Sequence, residues 1–156
     1  MAQHHMEDSD MTLANILKQK GSFVHSMLPT AHIDAVVALL AEHRIGAILV
    51  RDSIDQLLGI LSERDVVRSL AANGARTLEM TAGQLMTPNP VSATSGTSVV
   101  EAMEIMSKGK FRHLPVINDG KILGLVSIRD VVKARVDQQA YEVDSLKAYV
   151  SGGAHA

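Results

Sequence analysis

Short apolar runs and amphipathic stretches alternate along this chain in one order, and that order occurs twice. The first half opens with an apolar strand run at Val24–Met27. A helix is predicted over roughly Ile33–Arg44, where Val36, Leu39 and Leu40 fall on one face. Strands at Ile45–Arg51 and Gln56–Leu61 follow, then a helix over roughly Glu63–Asn73. The second half reads Val91–Ala93, Val99–Lys108, Arg112–Ile117, Lys121–Val126 and Ile128–Val136. Its first helix carries Val99, Met103 and Met106 on one face, with Thr97 or Ser98 as cap and Glu101 in the first turn. Its strands are short β-branched runs ended by turn residues such as Asn118-Asp119-Gly120. Each half is therefore strand, helix, strand, strand, helix.

The halves also share residues. LLGILSERDVVR at 57–68 lies over ILGLVSIRDVVK at 122–133, at an offset of 65 with seven of twelve positions identical. Upstream, VVALLAEHRIGAILV lies over AMEIMSKGKFRHLPV at an offset of 66. A chain that repeats itself in this way is two copies of one supersecondary unit. The divisions expected are an arm and short helix at 1–21, repeat 1 at 22–73, a linker at 74–87, repeat 2 at 88–136, and a C-terminal helix and tail at 137–156. The short leading helix is Leu13–Lys20, ended by Gly21. The linker holds a helical candidate at Ala82–Met86, stopped by Thr87-Pro88. Val136, Ala140, Val143, Leu146 and Val150 recur at steps of three and four, which predicts a C-terminal helix with one apolar face before a loose Ser151–Ala156. The fold class is α/β, of the α+β type.

Composition narrows the class. An apolar fraction of 46% over 156 residues suffices for one ordinary domain or two small lobes sharing a core. The net charge of −2 gives no bulk electrostatic case for nucleic acid or an anionic membrane. No apolar run reaches the ~20 residues that span a bilayer, and no signal peptide is visible, so a cytoplasmic protein is the expectation. With no Cys there is no disulfide framework and no thiol chemistry. His4-His5 reads as tag or tail, and His25, His32 and His43 have no metal-ligand spacing.

The chemistry lies in Gly59-Ile60-Leu61-Ser62-Glu63-Arg64-Asp65 and its copy. Ser62 sits where a helix N-cap belongs, with Asp65 three residues on, and Ser127 and Asp130 repeat the pair. Taken alone, Ser-x-x-Asp is a capping box. In register twice, with Asp in place of the longer Glu or Gln, it also suits a ribose: a first-turn carboxylate can accept from both hydroxyls of a diol. The free amides and positive dipole end of the helix start suit a phosphate.

The repeat G-h-h-S-x-R-D-h-h resembles the CBS domain, and the pair resembles a Bateman module of the small stand-alone bacterial type, over roughly residues 22–136. The resemblance implies β-α-β-β-α units packed through their sheets, with two clefts related by pseudo-two-fold symmetry. It also implies an adenosine ligand (AMP, ADP or ATP, sometimes NAD or S-adenosylmethionine) and no required cofactor. Carried over residue by residue, Asp65 and Asp130 would hold ribose hydroxyls, Ser62 and Ser127 ribose or phosphate, with Arg64 and Arg129 beside them. Val24-His25-Ser26, Val91-Ser92-Ala93, Ile48-Leu49-Val50 and Leu114-Pro115-Val116 would flank the adenine. With two Phe and two Tyr in the chain, aliphatic groups are expected to sandwich the base.

The clefts are expected to differ. Arg112 and His113 align with Gly46 and Ala47, so the Asp65 cleft gains a phosphate-binding pair that the Asp130 cleft lacks. The Asp130 cleft is left with Arg44, Arg129 and Lys133. The first reading is a regulatory module that binds an adenine nucleotide, AMP foremost, and signals to an unknown protein effector. An NAD(H) sensor with AMP in the other cleft and a ligand-independent scaffold are the alternatives. Catalysis is not expected, since there is no G-x-S-x-G elbow and the two Asp residues belong to opposite clefts. Apolar doublets at Val36-Val37, Leu39-Leu40, Val66-Val67 and Val131-Val132 widen the helical stripes, which predicts a homodimer.

Overall fold

The computed structural model describes residues 11–155; the His4-His5 pair and Ala156 lie outside the described residues. The elements are α1 (Leu13–Lys20), β1 (Ser26–Met27), α2 (Ile33–His43), β2 (Ala47–Arg51), β3 (Leu57–Ser62) and α3 (Glu63–Asn73). A 3-10 turn at Gly74–Glu79 leads to α4 (Ala82–Leu85) and β4 (Thr87–Pro88). Then come α5 (Val99–Gly109), β5 (His113–Asn118), β6 (Lys121–Ser127) and α6 (Ile128–His155). The helix–strand–strand–helix order of each repeat is as its periodicity predicts. The edges differ. The opening strand of repeat 2 contracts to a single bridge, Ala93 beside Val116. The last helix runs without a break from Ile128 to His155 rather than ending at Val136, and continues past Val150.

In repeat 1, β1 pairs parallel with β2, β2 antiparallel with β3, and β3 antiparallel with β4. In repeat 2, β5 and β6 form the matching antiparallel pair. Ser26 faces Leu49 across β1–β2, and Ala93 faces Val116. At the 66-residue offset that sets Ser26 on Ser92, one position away from the pairing of Val24 with Val91 drawn from the sequence. Each first helix ends on a left-handed residue, Arg44 (φ 52°) and Lys110 (φ 58°), which turns the chain sharply into the following strand. Ser98 is the cap of α5, accepting from Glu101 N–H at 3.0 Å.

The leading helices cross over. α1 precedes repeat 1 but packs on repeat 2, with Leu13 N–H donating to Thr97 O (2.9 Å) and Ala14 N–H to Ser95 O (3.0 Å). α4 precedes repeat 2 but packs on repeat 1, with Ala82 N–H donating to Ala31 O (2.7 Å) and Gly83 N–H to Pro29 O (2.9 Å). Both carry capping boxes, Thr12 with Asn15 and Thr81 with Gln84. Two cores follow. Ile33, Val36, Ile48, Val50 and Leu61 fill one; Leu13, Val99, Met106, Leu114, Val116 and Val126 fill the other. In β2, Ile48 and Val50 point into the first core, yet Ala47 and Leu49 on the opposite face are 4% and 0% exposed. A strand buried on both faces is a continuous apolar run. Among the described residues, no helix is long and apolar enough to cross a membrane.

Candidate functional site

Two clefts open where the repeats meet. The first, about 450 Å³, is lined by Ser62, Arg64 and Asp65 of repeat 1, by Val91, and by Lys110, Arg112 and His113 of repeat 2. The second, about 920 Å³, is lined by Val24, His25 and Arg44 on one side and Ser127 and Arg129 on the other, with Lys20 from α1. The smaller cleft thus brings Lys110, Arg112 and His113 of repeat 2 to the same space as Asp65 of repeat 1.

Local structure fixes the two carboxylates. β3 ends at Ser62 and α3 begins at once, so Ser62 is the N-cap. Ser62 N–H and Oγ donate to Asp65 Oδ2 at 2.9 and 3.1 Å, and Asp65 N–H donates to Ser62 Oγ at 3.3 Å. The same box closes in repeat 2, with Ser127 N–H to Asp130 Oδ2 at 2.8 Å and Asp130 N–H to Ser127 Oγ at 3.1 Å. Capping is therefore real in both copies. It occupies Oδ2 of Asp65; Oδ1 accepts no hydrogen bond from the described residues and is open to a ligand hydroxyl. The helix starts offer a phosphate less than the sequence suggests. Glu63 N–H donates to Gly46 O and Ile128 N–H to Arg112 O, each at 2.8 Å, so further first-turn amides are already committed.

The two carboxylates differ in their surroundings. Asp65 meets no cation within ion-pair distance among the described residues. Asp130 Oδ2 takes the Lys20 ammonium at 2.6 Å, and the same ammonium donates to Leu125 O at 2.9 Å. Burial pushes the Asp130 carboxyl up, but the Lys20 hydrogen bond and the Ser127 amide outweigh it and hold it below its ordinary value. Lys20 lies outside the repeat as drawn from the sequence.

His113 stands between the clefts and lines both, as does Gly46. Burial lowers its pKa, the positive charge of Lys20 lowers it further, and Glu63 and Asp130 oppose this. Arg64, Arg112 and Arg129 form no ion pair with the described residues, so their charges face solvent and cleft. Four residues expected to touch a ligand, Ser92, Leu114, Pro115 and Asp130, lie outside the linings of both clefts. Leu114 and Pro115 line neither cleft, because both side chains are buried within the packed sheet. Ser92 is exposed and lies outside both linings. Aromatic side chains stand in both clefts as well: Phe23 and His25 line the larger, edge to face at 4.8 Å, and Phe111 lines the smaller.

The sequence and the fold have relatives. The CBS domain family matches residues 23–72 and 82–137. The CBS-domain containing protein ATU1752 from Agrobacterium tumefaciens is similar in structure, with a TM-score of 0.78 and 38% identity, over 81% of this chain and 94% of that one. The mitochondrial CBS domain-containing protein CBSX3 of Arabidopsis thaliana is 34% identical over 95% of this chain and 77% of its own length. CBSX2, solved in complex with AMP, has a TM-score of 0.68 and 27% identity, over 83% of this chain and 98% of that one. Two matched segments, two capped Ser-x-x-Asp turns and two clefts between the repeats make one assignment: this chain belongs to the CBS domain family, as a tandem pair of its repeats.

Proposed function

We propose that this protein is a regulatory module that binds an adenine nucleotide, with AMP in the Asp65 cleft. One observation carries the reading. A helix-start carboxylate with an open oxygen and three basic side chains, Lys110, Arg112 and His113, face the same 450 Å³ space from different repeats. Asp65 suits the ribose diol and the basic group suits a phosphate. A ligand held at both ends ties the repeats together, and its preference for the closed arrangement shifts the population toward it. The AMP complex of CBSX2 supports this choice of ligand. CBS repeats are regulatory rather than catalytic modules.

A thermal-shift titration of nucleotide-stripped protein with AMP, ADP, ATP, NAD, NADH and S-adenosylmethionine tests the reading. Ligand at a hundred times its Kd adds about 2.7 kcal/mol, or roughly 5–10 °C for a chain of this size. A rise selective for AMP supports the proposal; no rise with any of them turns it toward a ligand-independent scaffold. One observation favours a second reading. The 920 Å³ cleft, with Phe23 and His25 in its wall, has room for a dinucleotide, and a selective response to NAD(H) would support that.

The module pairs with a second copy. In three doublets one Val is buried and the next exposed: Val36 0% and Val37 37%, Val66 5% and Val67 62%, Val131 0% and Val132 41%. On α6, Val136, Val143, Leu146 and Val150 are 50–64% exposed along one stripe. A monomeric mass by light scattering at micromolar concentration would refute the dimer.

A further inference from the structure

We propose that α6 is a pairing helix: two copies of this chain lay their α6 stripes together, in parallel, as a short two-stranded coiled coil. The inference deepens the reading that the module pairs with a second copy and rests on it.

α6 has two faces. Val131 and Ala134 are buried in the core of repeat 2, and Gln138 is buried one turn on. Beyond them, every residue from 139 to 150 is exposed. An isolated helix shorter than about 12–15 residues is marginal in water, so this stretch needs a second surface to hold it.

The exposed side carries the pattern of one particular surface. Val132, Val136, Gln139, Val143, Leu146 and Val150 recur at steps of four, three, four, three and four. That is the a/d seam of a heptad, with Val136, Val143 and Val150 at a and Val132, Gln139 and Leu146 at d. The five apolar members are 41–64% exposed. β-branched residues at a with Leu at d favour two parallel strands. Val132 is also the exposed member of the Val131-Val132 doublet, so the seam continues the outer face of the repeat.

Charge and polarity choose the direction. Glu142 falls at g and Lys147 at the following e, the two positions that face each other across a parallel pair. By symmetry that gives two opposite-charge pairs. Gln139 then meets the Gln139 of the second copy, amide to amide. An antiparallel pair that keeps all six residues in the seam sets Glu142 against a second Glu142 and Lys133 against Lys147. It also sets Gln139 against Val143, which leaves a covered amide without a partner.

The chain has no Cys, so single cysteines report the pairing directly. In the full chain under mild oxidation, Val136→Cys and Val150→Cys should each give a covalent dimer. Tyr141→Cys, on the opposite side of the helix, should not. A disulfide needs Cα atoms within about 7 Å, while Val136 and Val150 stand roughly 21 Å apart along the helix. In an antiparallel seam neither cysteine reaches its own copy. Failure of either variant to cross-link in protein of dimeric mass, or equal cross-linking of Tyr141→Cys, overturns the proposal and leaves pairing to the body of the module. A monomeric mass by light scattering sinks the pairing reading itself, and the seam with it. The charges give a second test that needs no cysteine. Glu142→Lys should raise the dimer dissociation constant about tenfold at low salt, and Glu142→Lys/Lys147→Glu should restore it. An unchanged constant in Glu142→Lys contradicts the parallel seam.

Discussion

The imidazole of His113 rests on Gly46, so close that a β-carbon there would stand 3.2 Å from His113 Cε1. Both residues line both clefts. The contact joins the start of β5 to the turn before β2 and forms the wall between the clefts. Gly46→Val places two methyl groups in that contact and drives His113 aside. AMP affinity should fall about tenfold, the equivalent of about 1.4 kcal/mol, with a stability loss of roughly 1–3 kcal/mol. Calorimetry and urea unfolding measure the two. Unchanged affinity would show that the placing of His113 does not matter to the ligand.

The glycine that opens each G-h-h-S-x-R-D motif has a packing role, and the two copies should differ in cost. A β-carbon on Gly59 would lie 2.6 Å from Met86 Sδ and 2.7 Å from the Thr87 backbone oxygen. On Gly124 it would lie 2.6 Å from Leu17 Cδ2, a side-chain methyl that can turn away. Gly59→Ala should destabilise by about 2–3 kcal/mol and Gly124→Ala by about 1–2 kcal/mol. Urea midpoints in the reverse order would contradict the account.

Stability should decline on mild acidification. Burial, and then the charge of Lys20, lower the His113 pKa from 6.5 against the opposing pull of Glu63 and Asp130. His25 shifts the same way, through burial and then the neighbouring His43. A depressed imidazole stays neutral in the folded chain where the unfolded chain binds a proton. Its contribution is therefore present above pH 6.5 and lost as pH falls through the folded value. His113→Gln should flatten the melting-temperature profile between about pH 7 and pH 5. An unaltered slope would remove His113 as a cause.

Capping and ligand binding can be told apart. Ser62→Ala and Ser127→Ala each lose one N-cap and should cost about 1 kcal/mol of stability. Ser127→Ala should leave AMP binding in the Asp65 cleft intact, because Ser127 lines the other cleft. A loss of AMP affinity in Ser127→Ala as large as in Ser62→Ala would argue against assigning AMP to one cleft.

Much of the fold was legible because the sequence states it twice: Ser62/Asp65 and Ser127/Asp130 mark helix starts wherever they occur. The crossing of α1 and α4 was not read, because each helix finds its partner in the distant repeat and carries no local sign of it. A sign did exist. Met11-Thr12 with Ile16-Leu17 matches Met80-Thr81 with Leu85-Met86, so the repeat begins before residue 22. Lys20 was overlooked for the same reason. It lies outside the repeat as first drawn, and only the crossing carries it to Asp130. Leu114 and Pro115, expected beside the base, are buried inside the packed sheet and line neither cleft.

The central claim is that Asp65 holds the ribose of AMP, and calorimetric titration of AMP into nucleotide-stripped wild type and Asp65→Ala tests it most directly. Loss of hydrogen bonds to a charged acceptor is worth about 1.5–3 kcal/mol, so the variant should bind AMP roughly ten- to a hundredfold more weakly while remaining folded. Equal affinity for the two proteins would contradict the account.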